Sequence, residues 1–125
     1  MLPSINPFEF EEEIFSGSDA QLTCYVSRGD QPLSVWWTLN GVQLTSNVTT
    51  GVSVVNVGTK TSLLTLTGVD HHSNGEYRCF AENPAGLTSY SANLTVYGKV
   101  VLTAKKKRNI TETPDFSLRV QRRPS

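Results

Sequence analysis

Cys24 and Cys79 stand 55 positions apart, with Trp37 thirteen residues after the first and Tyr77 two residues before the second. Four residues at fixed offsets within about 100 positions constrain this chain more than any other feature. Two cysteines are too few for a disulfide-dense miniprotein. At 125 residues, 38% of them hydrophobic, the chain has room for one domain and an extension. No stretch has a convincing helical period, and there is no internal repeat. Short runs rich in Val, Thr, Leu and Tyr alternate with turn residues about every ten positions, which is the pattern of an all-β sandwich.

The expected strands are Ile5–Phe8, with Pro7 tolerated at a sheet edge, then Glu12–Phe15, Ala20–Ser27, Ser34–Leu39, Val42–Thr45, Val52–Val57, Ser62–Thr67, Gly75–Glu82 and Thr88–Tyr97. Asn40-Gly41 reads as a tight hairpin turn. Side chains alternate across a strand, so fixing one residue inward fixes its neighbours. The core set is then Leu22, Cys24 and Val26; Val35, Trp37 and Leu39; Val52 and Val54; Leu64 and Leu66, with Val69 at the corner; Tyr77 and Cys79; and Ala92, Leu94 and Val96. Gln21, Thr23, Tyr25, Trp36, Val55, Val57, Leu63, Thr65, Thr67, Arg78, Phe80, Glu82 and Asn93 point out.

The Cys…Trp…Tyr-x-Cys frame is similar to that of immunoglobulin-type sandwiches. Leu64-x-Leu66-x-x-Val69, Gly75-x-Tyr77-x-Cys79 and Ala81-x-Asn83-x-x-Gly86 resemble the I-set pattern, over about residues 3–97. The resemblance implies a Cys24–Cys79 disulfide joining two sheets, Trp37 packed on it, and Tyr77 as a tyrosine corner bonding back to upstream backbone. Two unrelated free thiols are the alternative. Closing a loop of this length contributes about 4 kcal/mol in the chain-entropy treatment, a large share of a domain stability of roughly 5–15 kcal/mol. I-set domains usually carry Asp six residues before the second Cys; Ser73 stands there, so the usual ion pair with an Arg on a neighbouring strand is not expected.

Further stretches narrow the likeness. Ile5-Asn6-Pro7-Phe8-x-Phe10, Arg28-Gly29-Asp30-Gln31-Pro32-Leu33, Thr61-Ser62-Leu63-Leu64 and Asn83-Pro84-Ala85-Gly86 resemble the variable immunoglobulin domains of arthropod Down syndrome cell adhesion molecules (Dscam), above all the seventh domain. The resemblance implies isoform-specific homophilic contact between cells, as in axon guidance and neuronal self-recognition. It also implies neighbouring immunoglobulin and fibronectin-type domains in a plasma-membrane receptor. It does not reach residues 99–125.

Charge divides the chain. Residues 1–98 hold Arg28, Lys60 and Arg78 against nine acids; residues 99–125 hold eight bases against Glu112 and Asp115. An acidic body argues against a nucleic-acid partner. The break near Gly98 divides a domain at 1–98 from a basic extension at 99–125, where strand alternation fades and Pro114 and Pro124 break any helix; disorder is expected there. Lys105-Lys106-Lys107-Arg108 has the composition of a nuclear signal, a processing site or a lipid-surface patch. No secretory leader or spanning segment is visible, so the chain reads as a fragment whose anchor lies elsewhere. Sequons at Asn47, Asn93 and Asn109 fit an extracellular glycoprotein.

Asp70-His71-His72-Ser73 gathers acid, base and nucleophile types, but catalysis needs them convergent, and neighbours on one turn generally diverge. The stretch reads as a polar turn. With two His and a paired cysteine set, no metal is expected. The acids Glu9, Glu11, Glu12 and Glu13 read as a solvated edge rather than a calcium loop. No enzyme activity and no cofactor are expected. The candidate adhesive face is the outer side of the sheet carrying Tyr25, Val55, Val57, Leu63 and Thr65, meeting an identical copy antiparallel across a two-fold axis. The other outer face carries Trp36, Phe80 and Arg78, where a glycan on Asn93 would obstruct contact. One rival reading is a heterophilic domain of an immune-type receptor. Another is a structural module of an intracellular muscle-type protein.

Overall fold

A computed structural model describes residues 1–98, so the expected disorder of 99–125, the Lys105–Arg108 cluster and the Asn109 sequon lie outside the described residues. Ten strands run β1 (Ser4–Ile5), β2 (Ile14–Phe15), β3 (Ala20–Arg28), β4 (Ser34–Leu39), β5 (Val42–Gln43), β6 (Val52–Val57), β7 (Thr61–Leu66), β8 (Gly75–Asn83), β9 (Gly86–Leu94) and β10 (Val96–Tyr97). They form two antiparallel sheets, β1-β3-β7-β6 and β5-β4-β8-β9, with β2 and β10 pairing in parallel. The all-β, two-sheet architecture expected from the alternation is the one observed.

The differences lie at the strand ends. The first strand stops at Ile5 rather than Phe8. Asn6 N–H still donates to Tyr25 O at 3.0 Å, but the ring of Pro7 fixes φ away from extended-strand values, and the chain leaves the sheet there. Released from the sheet, Phe8 turns into the core, its ring 5.5 Å from that of Trp37 and 4.9 Å from that of Tyr90. The second strand is only Ile14–Phe15, which leaves Glu9, Glu11, Glu12 and Glu13 exposed.

The expected last strand, Thr88–Tyr97, is two. Leu94 is the final residue opposite β8, whose first residue is Gly75. Beyond it the chain changes partner: Val96 pairs with Ile14, and its N–H donates to Asn74 Oδ1 at 2.6 Å. The Asn40-Gly41 turn is as expected, with φ of 50° and 87° at its two centres. That left-handed pair is what a two-residue hairpin demands.

The core sits between the sheets. Cys24 and Cys79 are joined and fully buried, as are Trp37, Val26 and Leu64. Leu22, Leu66, Val69, Tyr77, Leu94 and Val96 complete the expected inward set, while Val35, Leu39, Val52, Val54 and Ala92 pack on it half-buried. One core member has no apolar role. Ser62 is fully buried and accepts a 2.9 Å hydrogen bond from Trp37 Nε1–H.

Candidate adhesive face

Register places nine outward side chains of the β1-β3-β7-β6 sheet in three rows. Tyr25, Thr61 and Val57 lie abreast, then Thr23, Leu63 and Val55, then Gln21, Thr65 and Ser53. Cross-strand partners share a face, so the five residues named from the sequence, Tyr25, Val55, Val57, Leu63 and Thr65, are brought onto one surface with Leu63 at its centre. None of the nine is charged. Tyr25, Val55 and Val57 are 41%, 50% and 55% exposed; Leu63 and Thr65 are half-buried by their row neighbours.

The sheet offers its face more readily than its edges. Along β6, Ser46 Oγ donates to Val54 O and accepts from Val54 N–H at 3.2 and 2.8 Å, and Asn47 and Val52 form a reciprocal backbone bridge. At the other edge, β1 is two residues long and flanked by Pro3 and Pro7. Short, capped edges discourage strand addition.

Asn47 shares its side of the sheet with Val52, which packs toward the core. A sugar there leaves the rim on the side away from Val55 and Val57. Its Oδ1 accepts from Thr49 N–H at 2.9 Å, and Val48 beside it is fully in solvent.

On the opposite sheet Trp36 points outward, as alternation requires, but it does not protrude. It is half-buried and stacked on Phe80, ring centres 5.4 Å apart with planes 13° from parallel. Thr38, on the same outer face, is buried between its register partners Arg78 and Gln43.

The Asp70–Ser73 stretch is a 3-10 turn closed by a capping box: Asp70 Oδ1 accepts from His72 N–H at 2.9 Å and Ser73 Oγ from Asp70 N–H at 3.2 Å. Contrary to the divergence expected of neighbours, the Asp70, His71 and His72 ligand atoms lie within 4.8 Å of one another, all in solvent. The Ser73 carbonyl accepts the Tyr77 hydroxyl at 2.6 Å, the tyrosine-corner bond to upstream backbone. Burial pushes the Tyr77 phenol up to about 12.

Besides Thr38, sequence reasoning missed two buried polar residues. Ser62 follows from the same alternation that buries Leu64, yet serine gave no hydrophobic signal. Asn83 is buried in the β8–β9 turn, where its Oδ1 accepts from Ala85 and Gly86 N–H at 2.9 and 3.2 Å. Its Nδ2 donates to Met1 O and Asp30 O at 2.7 and 3.1 Å.

Two bonded sheets, a buried cystine with its tryptophan, and a tyrosine corner define an immunoglobulin sandwich. The immunoglobulin domain family matches residues 3–83, and the chain belongs to it. Among relatives, it is 37% identical over 95 residues to cell adhesion molecule Dscam1 of Drosophila melanogaster, covering 75% of this chain and 5% of that protein. Among solved structures, it is similar to the Dscam1 Ig7 domain, isoform 9, at TM-score 0.70 and 34% identity, covering 80% of this chain and all of that one. The N-terminal eight immunoglobulin domains of Dscam isoform 1.30.30 match at TM-score 0.71 and 36% identity, over 78% of this chain and 13% of that one. The chain is thus homologous to one domain of multi-domain adhesion molecules, a non-enzymatic class. Among the described residues no helix is long and apolar enough to cross a membrane.

Proposed function

We propose that this domain is an extracellular recognition module of a membrane-anchored adhesion receptor, and that it pairs with an identical copy through the outer face of the β1-β3-β7-β6 sheet. The observation that carries this reading is the uncharged nine-residue lattice centred on Leu63. Bringing it against a copy of itself desolvates no charge. A two-fold axis through such a lattice runs the strands of the two copies antiparallel, and each outward residue faces a fixed partner. Changing a few sizes or charges then breaks self-recognition without touching the core, which lets one scaffold carry many specificities. Homology to Dscam supports adhesion as the purpose of that contact. Flanking immunoglobulin and fibronectin-type domains, and roles in cell–cell contact of the self-recognition and axon-guidance kind, belong to the same proposal.

A heterophilic contact through the other sheet has less support, because Trp36 and Phe80 bury one another and offer no protruding anchor. The test is sedimentation velocity over a concentration series with the secreted chain. Self-association supports the reading, and a monomer at every accessible concentration overturns it.

A further inference from the structure

The outer face of the β5-β4-β8-β9 sheet carries a surface that pairing through the opposite sheet leaves unused. Trp36 and Phe80 are register partners whose rings stack nearly parallel, forming a compact, half-exposed apolar plate. Beside it the Arg78 guanidinium is pinned along the sheet, Nη1 donating to Ser89 Oγ at 2.8 Å and Nη2 to Glu76 Oε2 at 3.2 Å. The residues of β9 on this face are Leu87, Ser89, Ser91 and Asn93, opposite Glu82, Phe80, Arg78 and Glu76. Asn93 therefore lies four residues from the plate, about 13 Å along the strand. The track between is floored by two serines and the flat arginine. Asn93 is exposed and opens the triplet Asn93-Leu94-Thr95, in which Leu94 turns into the core and Thr95 stays in solvent.

We propose that Asn93 carries an N-linked oligosaccharide whose innermost sugars lie back along Ser91 and Ser89 onto the Trp36–Phe80 plate. The proposal rests on the extracellular placement argued above. The face of an aromatic ring is electron-rich, and a pyranose ring presents a row of polarised C–H bonds to it. Arg78 has five N–H donors in a fixed fork and spends two on Ser89 and Glu76, so others remain for an N-acetyl carbonyl. The sandwich then has one sheet covered by its own sugar and one left bare for a protein partner.

The test uses the full chain secreted from a eukaryotic host, with Asn47→Gln and Asn109→Gln so that only Asn93 is modifiable. Occupancy is mapped by mass spectrometry, and Tm and tryptophan emission are read before and after enzymatic deglycosylation. Expected are an occupied Asn93, a fall in Tm of about 4 °C or more, and a red shift as Trp36 meets water. Phe80→Ser and Trp36→Ser should each abolish the Tm difference. An occupied Asn93 with neither a Tm change nor an emission change overturns the proposal. So does loss of the Tm difference in Tyr97→Ser but not in Phe80→Ser, which would put the sugar in the cleft of about 410 Å3 between β9 and Glu9–Glu12. If Asn47 is modified in the unaltered chain and Asn93 is not, this inference fails while the extracellular reading stands. If none of Asn47, Asn93 and Asn109 is modified in the unaltered chain, both fall.

Discussion

Trp37 and Ser62, on opposite sheets, are joined by a 2.9 Å hydrogen bond from the indole N–H to the serine hydroxyl oxygen. Trp37 is the register partner of Cys79, and Ser62 that of Cys24. The cystine and the Trp37–Ser62 bond are thus two neighbouring ties across one layer of the sandwich, one covalent and one polar. Ser62→Ala leaves a buried indole N–H without an acceptor, which costs about 1–3 kcal/mol. Chemical denaturation should show a lower midpoint with an unchanged m-value. An unchanged midpoint would mean the bond contributes nothing.

Tyr77 ties the start of β8 to the 3-10 turn through Ser73 O. Tyr77→Phe should destabilise the domain by about 1 kcal/mol at neutral pH. The phenol titrates near 10 in the unfolded chain and is pushed up to about 12 when folded. The unfolded state therefore loses its proton first. The stability this group contributes is fully present below about pH 10 and is lost as pH rises toward 12. Thermal melts between pH 9 and 12 should show a flatter alkaline decline in Tyr77→Phe than in the parent chain. Parallel declines would contradict the assignment.

Leu63 lies at the centre of the uncharged lattice, and Val55 beside it on β6. Leu63→Asp or Val55→Arg buries an unpaired charge on each side of a two-fold contact. Either should weaken self-association by about a hundredfold or more. Trp36→Ser, on the other sheet, should leave it intact. Equilibrium sedimentation and bead aggregation read both effects. Aggregation that survives the two charge insertions would move the contact off this sheet.

Asn83 holds three segments at one end of the sandwich through four hydrogen bonds. Asn83→Ala removes a buried side chain that partners two backbone carbonyls and two amides, all in part-buried hydrogen bonds. A loss of about 2 kcal/mol is expected. Amide hydrogen exchange should accelerate at Ala85 and Gly86 before the β3–β7 ladder responds. Uniform acceleration across the domain would show that the turn is not a separate unit.

The sequence by itself determined the sandwich, its cystine, and the inward set on β3, β7 and β8. Alternation with a period of two leaves little freedom once Cys24, Leu64 and Cys79 must be dry. It also gave the outward set, because every residue sent inward sends its neighbour out. Strand ends were less legible. Pro7 ends β1 by fixing its backbone away from the strand conformation, and β9 gives way to β10 because β8 supplies no partner beyond Gly75. Only the tertiary structure decided how the outward residues meet. Register across three strands made a lattice of Tyr25, Leu63 and Val55, and register between β4 and β8 laid Trp36 flat on Phe80. It also gave buried Ser62 and Asn83 their partners. Local pattern fixes which way a side chain points, but what it touches depends on strands brought together from distant parts of the chain.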